Sequence, residues 1–257
     1  MTASYSEAIS NHSYSVMFLP QNTQRQRIKE LQVTVNGGNL FGIADDNFGN
    51  KKFYGKITEP HKNFEVSVSG TAETGAGIFE EYTEDAFSCI LYKYQTPLTE
   101  PGARLCECYN SLNFNDCCSP YDKALKIMRN VSAIFKYHSG ATGIHEAAEN
   151  AFALGNGVCQ DYAHIMLSLL RMEHIPARYV VGMMMGDGAS HAWVEALSRG
   201  FWYGFDVTNN KLVNNEYIRV SCGRDSGDCP IIKGKFFGDG IQQQAESVIV
   251  EEIQTKG

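Results

Sequence analysis

GNGVCQDYAHIMLSLL, residues 155–170, is the stretch on which the reading of this chain turns. Gly155, Asn156 and Gly157 make a turn in which glycine lets backbone approach closely. One thiol, Cys159, follows, and then a long apolar run. The helical pattern extends to His174 and ends at Ile175-Pro176, because proline cannot continue a helix. The pattern predicts a buried helix with Cys159 in its first turn. Unpaired N–H groups and a partial positive charge gather at that end of a helix. Both favour thiolate over thiol, and the thiolate is the attacking species. The N–H of Cys159 is also placed to hold a developing oxyanion. A small buried hydrophobe explains a single cysteine equally well, so the choice between core filler and nucleophile depends on the rest of the chain.

Downstream, ARYVVGMMM, SHAWVEAL, FWYGFDVT and YIRVSC read as strands. His191 enters the second of these and Asp206 ends the third. Residues near the same end of adjacent strands can be neighbours across a sheet. A nucleophilic thiol needs a base that later protonates the leaving amine, and the base needs a third group to fix its tautomer. Cys159, His191 and Asp206 supply those roles in chain order. Taken singly, His191 also reads as a satisfied half-buried histidine and Asp206 as a turn cap.

Upstream, Ser119 is a candidate N-cap with Pro120 at the first helical position. Apolar residues from Ala124 to Phe135 then recur at helical spacing. GIHEAAENAFAL predicts a further helix stopped by Gly155. Helices followed by a sheet are the segregated order of an α+β domain. Residues 1–80 read as a β-rich unit, with YSVMFLP, RIKELQVTV and FEVSVSGTAET alternating apolar and polar residues. Gln24 to Arg27 is short and polar and reads as loop. Residues 81–118 read as a connector broken by TPLTEPGAR, and residues 119–257 as the catalytic domain.

Formal net charge is −7, from 29 acidic and 22 basic residues, which argues against a nucleic-acid partner. No apolar run reaches the ~18 residues that span a bilayer, and the N-terminus lacks the basic and apolar regions of a signal peptide. The chain therefore reads as soluble and cytoplasmic, with no membrane partner. Eight cysteines in such a protein are expected to be thiols. Cys106, Cys108, Cys117 and Cys118 lie close together but lack a CxxC pair, so neither a metal nor another cofactor is expected. The pattern does not fix an oligomeric state.

GVCQDYAHIMLSLLRMEHIPARYVVG, HAWVEA and FDVTNN, in that order and spacing, resemble the transglutaminase-like superfamily of cysteine enzymes, in its bacterial and archaeal form. YIRVSCGRDSGDCPIIKGKFFG is similar to the tail of those proteins, and FLPQNTQRQRI and DDNFGNKKF to their β-rich N-terminal domain. The resemblance implies a papain-like α+β core preceded by a small β-sandwich-like domain. It also implies Cys159 as nucleophile, His191 as base and acid, and Asp206 as orienting carboxylate. Such enzymes attack an amide carbonyl, form a thioester, and release it to water or to an amine. The expectation is hydrolysis of a peptide or isopeptide bond in a peptide or protein. The alternatives are a protein-glutamine transglutaminase and a non-catalytic binding module of the same fold.

Further expectations attach to the neighbours of the triad. Tyr137, with His138 as rival, is the candidate side-chain oxyanion donor, although a core tyrosine fits too. Gln160 either touches substrate or faces solvent. Asp161 is expected to stabilise the helix start and to point away from the thiol. His164 is expected to be structural, since the i, i+5 spacing carries it round the helix. Trp193 and Trp202 either cover the site against water or fill the core. Met183 to Met185 offer adaptable apolar contact or a buried strand. Arg224 and Asp225 are expected to form a structural pair.

Overall fold

The computed structural model describes residues 1–83, 88–140, 143 and 146–253. Five strands open the chain: β1 (Thr2–Val16), β2 (Gln26–Val35), β3 (Asn39–Asp45), β4 (Lys51–Ile57) and β5 (His61–Thr74). They form an antiparallel sheet in the order β2-β5-β1-β4-β3. β1 is long enough to serve two partners on each side. Its first half pairs with β5, and its second half, His12 to Val16, pairs with β4. The register breaks between Ser4 and Ile9, and Asn11 takes a positive φ of 47°, so the sheet curls around this strand. Alternate residues Tyr5, Ile9, Tyr14 and Val16 are buried on the inner face.

A short strand, β6 (Glu80–Tyr82), leaves this unit and pairs with the second sheet. The helix α1 (Ala103–Ser111) follows within the predicted connector. Its own N-cap, Gly102, offers no side chain. The cap comes from Glu149, whose carboxylate accepts the N–H groups of Gly102, Arg104 and Leu105 at 2.9–3.1 Å. A sequence window around 103 holds no trace of that distant carboxylate.

The helical part of the chain then assembles from α2 (Pro120–Ile134), β7 (Lys136–Tyr137), α3 (Ala148–Leu154), β8 (Asn156–Gly157) and α4 (Cys159–Met172). Ser119 caps α2 as its hydroxyl accepts the Asp122 N–H at 3.2 Å, with Pro120 at the first position. α3 is shorter than the predicted helix, of which residues 144 and 145 lie outside the described residues. α4 is buried along its whole length from Asp161 to Arg171. It is apolar on nearly every face because neighbours enclose it: α1, α2 and α3, and the strands β9 (Ala177–Met184) and, beyond β10 (Gly186–Gly188), β11 (His191–Ser198). No helix among the described residues is long and apolar enough to cross a membrane.

The second sheet is completed by β12 (Phe201–Asp206), β13 (Lys211–Leu212) and β14 (Tyr217–Gly223), in the antiparallel order β13-β12-β11-β9-β14. One face carries Ala192, Val194 and Ala196 against α4. The other carries Trp193, Trp202 and Val180 against Phe79 and Tyr92. The architecture is α+β, with an N-terminal β unit and a helix-backed antiparallel sheet.

Two features cross between the units. The last long strands, β15 (Ile232–Phe237) and β16 (Gln242–Ala245), return to pair with β1, and only β17 (Val248–Val250) pairs with β10. The linear division at residue 119 therefore separates elements that the fold joins. Second, β14 is an edge strand, and amides of the N-terminal unit cover its edge. Gln26 accepts the Arg219 N–H at 2.8 Å and donates to the Arg219 carbonyl at 2.7 Å. Asn50 does the same for Cys222, at 2.8 Å each way. Each side-chain amide stands in for a peptide of the missing neighbour strand. Gln26, read as loop from sequence, begins β2.

Candidate active site

The mouth of α4 is built from local backbone rules. Gly155 ends α3 in the left-handed conformation, φ 71°, which favours glycine. The next two residues pair in parallel with β7, where Lys136 N–H donates to the Gly155 carbonyl and His138 N–H to the Gly157 carbonyl. The Asp161 carboxylate turns back and accepts the Val158 N–H at 2.7 Å. A Cβ at Gly157 would collide with that carboxylate, so this position needs glycine. Tyr162 clamps the same turn from inside, its hydroxyl donating to the Phe135 carbonyl at 2.8 Å. Cys159 thus stands as the first residue of α4, half-buried.

His191 opens β11 with its side chain 12 % exposed, and Asp206 closes β12 fully buried. The register that pairs Val194 with Phe205 places Asp206 beside Trp193, so His191 and Asp206 are diagonal neighbours on one face. His191 Nε2 lies 2.8 Å from Asp206 Oδ2. Nδ1 is then the ring nitrogen left for the thiol. Burial pulls the His191 pKa down. The hydrogen bond to Asp206, the nearby Cys159 sulfur and the charges of both outweigh it, and the ring is raised to about 10. Burial pushes the Asp206 carboxyl up, but His191, Asn209 and Tyr217 together hold it below its ordinary value. The structure brings the three predicted residues together.

Two partners of Asp206 were not predicted. Asn209 donates its side-chain amide to Oδ2 at 2.7 Å and its backbone N–H to Oδ1 at 3.2 Å. The Asp-Val-Thr-Asn spacing of a turn carried that signal. Tyr217 donates its hydroxyl to Oδ2 at 2.7 Å. It comes from another strand, and no local pattern announces it.

The other candidates divide. Tyr137 is 60 % exposed beside Gly157, at the mouth of α4, and is not a core tyrosine. Gln160 is half-buried in the first turn. Of the two readings of Trp193, cover against water or core, the buried position takes the second. It is 1 % exposed, its indole N–H points to Glu195 Oε1 at 3.4 Å, and its ring lies over Gly182, where a Cβ would strike it. It supports His191 from below, ring centroids 6.4 Å apart. Trp202 is likewise core, under the Arg178 guanidinium at 4.4 Å. His164 is fully buried, accepts the Ser226 N–H at 3.2 Å, and is pushed down to about 4 by burial, so it is neutral and structural. Arg224 pairs with Asp228 at 2.8 and 3.0 Å rather than with Asp225, which instead accepts the Gly227 N–H at 2.8 Å. All eight cysteines are free thiols. Among the described residues, no three His, Cys, Asp or Glu side chains group as metal ligands would.

Behind His191, on the same face of β11, Glu195 is fully buried between Arg178 (Nε 2.6 Å) and Arg219 (Nη1 3.3 Å). Glu81 of β6 bridges the same two arginines at 2.9 and 2.6 Å. The connector is thereby anchored under the site.

Family models match in two places. The transglutaminase-like superfamily core matches residues 113–207, and the bacterial transglutaminase-like N-terminal region matches residues 1–73. An uncharacterized protein of Mycobacterium leprae is 40% identical over 114 residues, 40% of this chain and 40% of that protein's length. Uncharacterized proteins of Mycobacterium bovis and Mycobacterium tuberculosis are 27% identical over 263 residues, 90% of this chain and 83% of theirs. The solved structure described as "a Putative Cysteine Protease from Cytophaga hutchinsonii" superposes with a TM-score of 0.78, over 99% of this chain and 90% of that one. At 22% identity the likeness is one of fold.

Proposed function

For a chain that belongs to the transglutaminase-like superfamily, with the bacterial N-terminal region ahead of its core, we propose cysteine-dependent hydrolysis of an amide bond in a peptide or protein. The observation that carries this reading is the 2.8 Å contact between His191 Nε2 and a buried Asp206, with the Cys159 sulfur close enough to raise the same ring's pKa. A carboxylate-held imidazolium beside sulfur favours the thiolate–imidazolium pair.

The chemistry follows from those positions. The Cys159 thiolate attacks the amide carbonyl carbon, and the carbonyl electron pair moves onto oxygen. That oxyanion meets the N-terminal N–H groups of α4, with the exposed Tyr137 hydroxyl as the side-chain candidate. His191 gives its proton to the nitrogen, the C–N bond breaks, and an amine leaves behind a thioester. Water then loses a proton to His191 and adds to the thioester. Collapse expels the thiolate and releases a carboxylic acid. Asp206 keeps its charge throughout, fixing the ring with Nδ1 toward sulfur.

The test incubates the full chain with a peptide mixture rich in glutamine, with and without an added primary amine, and reads products by mass spectrometry. New peptide termini or glutamine deamidation, lost in Cys159→Ala and in His191→Ala, are expected. Amine incorporation in place of hydrolysis would move the assignment to acyl transfer. Turnover that persists in Cys159→Ala would refute the nucleophile.

A further inference from the structure

We infer that Tyr217 is a positioning residue that sets the alkaline limit of the charged His191 ring by sharing Asp206 Oδ2 with it. This inference rests on the Cys159–His191–Asp206 reading above.

Three donors converge on one oxygen. Asp206 Oδ2 receives His191 Nε2 at 2.8 Å, Tyr217 Oη at 2.7 Å and Asn209 Nδ2 at 2.7 Å, while Oδ1 receives only the Asn209 backbone N–H, at 3.2 Å. A carboxylate oxygen offers about two lone-pair sites. Each additional donor therefore withdraws charge that would otherwise hold the imidazolium. Asn209 lies in the turn just beyond Asp206, on its own side of the site. Tyr217 comes from β14, is 5 % exposed, and packs edge-on against Trp193 at 5.5 Å between centroids. Its hydroxyl is committed as a donor: burial and the Asp206 charge both hold its proton on.

The other charged and titratable groups around Asp206 leave this role to Tyr217. From β11 come His191 and, two residues beyond Trp193, Glu195, whose carboxylate faces Arg178 and Arg219 instead. From α4 comes Cys159, which acts on His191. From β13 comes Lys211, opposite Asp206 in register but exposed to solvent. Glu216, next to Tyr217 in the chain, adds negative charge and strengthens retention of the tyrosine proton. Tyr217 is thus the buried neutral donor that a distant strand brings to the carboxylate.

The consequence has a definite sign. Removing the hydroxyl returns charge to Oδ2, tightens the hold on the imidazolium, and so favours the thiolate–imidazolium pair over thiol and neutral imidazole. Loss of the His191 ring proton then moves to higher pH, while on the acid side thiol and thiolate both face the same imidazolium.

The measurement is the titration of the His191 ring across the folded pH range, followed by NMR on its Cε1–H resonance, which is assigned by its disappearance in His191→Gln. In Tyr217→Phe the midpoint is expected to rise by about half a pH unit, the scale of a redistributed charge-assisted hydrogen bond. 3-Fluorotyrosine at position 217 keeps the ring and strengthens the donor, so it should lower the midpoint. This second arm serves if Tyr217→Phe does not fold. A purely structural role for Tyr217 predicts no such pair of opposite shifts. Superimposed titrations, or shifts of the same sign, overturn the inference. Iodoacetamide alkylation of Cys159, read on its peptide by mass spectrometry, separates the two levels: if His191→Gln leaves it unchanged, the base assignment itself is lost. If His191→Gln slows it while the position-217 variants leave the ring titration in place, only the role of Tyr217 is lost.

Discussion

Asp206→Asn offers the most exacting test of the site's electrostatics. Asparagine keeps the size of the side chain and an oxygen for Tyr217 and Asn209. It removes the charge that offsets burial of the imidazolium. In the native site His191 is raised from 6.5 to about 10, although burial lowers it. At ~1.36 kcal/mol per pH unit, a rise of that size amounts to on the order of 5 kcal/mol of preference for the charged ring. Because the folded value lies above the unfolded one, this stability is complete below about pH 6.5 and is lost as pH rises toward about 10. In the variant only the Cys159 sulfur opposes burial, and the ring gives up its proton well below pH ~10. The stability gap between native protein and variant should therefore shrink by about 2–5 kcal/mol between pH ~6 and pH ~10. Urea unfolding of both proteins at several pH values under reducing conditions measures it. Titration of tyrosines and of the other thiols is common to both and cancels in the difference. Parallel stability curves across the window would show that the carboxylate does not hold a charged His191, and the reasoning would fail.

Three further outcomes follow from the packing. Glu195→Gln leaves Arg178 and Arg219 with Glu81 alone in a buried setting, and should cost about 3–5 kcal/mol in chemical denaturation. Gln26→Ala strips the Arg219 N–H and carbonyl of their buried partner and should cost about 1–3 kcal/mol, with a larger gain in proteolysis of the edge strand than Ala at an exposed β2 position produces. Gly157→Ala drives a methyl into the Asp161 carboxylate, and should lower Cys159-dependent turnover by tenfold or more (about 1–3 kcal/mol of displaced structure) while the bulk secondary structure by circular dichroism is retained.

Much of the site was legible because it is written in local rules. The turn at Gly155, the apolar run behind Cys159 and the stop at Pro176 define α4 from nearest neighbours alone. Two strands joined by Arg199-Gly200 bring their far ends together, so His191 and Asp206 had to meet if the alternation was read correctly. For Trp193 the same logic left two readings open. It shares a face with His191, but that face turns inward over Gly182, and period two tells which residues share a face without telling what covers it.

Sequence by itself determined the helix with its thiol, the order of helices and strands, and the identity of nucleophile, base and carboxylate as candidates. These depend on backbone propensity and on contacts within a few residues, which a one-dimensional pattern records. Tertiary structure alone decided that Tyr217 and Asn209 crowd one oxygen of Asp206, that Glu149 caps α1, that Gln26 and Asn50 close the edge of β14, and that the C-terminal strands return to β1. Each of these satisfies a polar group, or an open strand edge, with a partner supplied from elsewhere in the fold. Burial makes such partners necessary, but many residues could supply them, so their identity is fixed only when the chain has closed on itself.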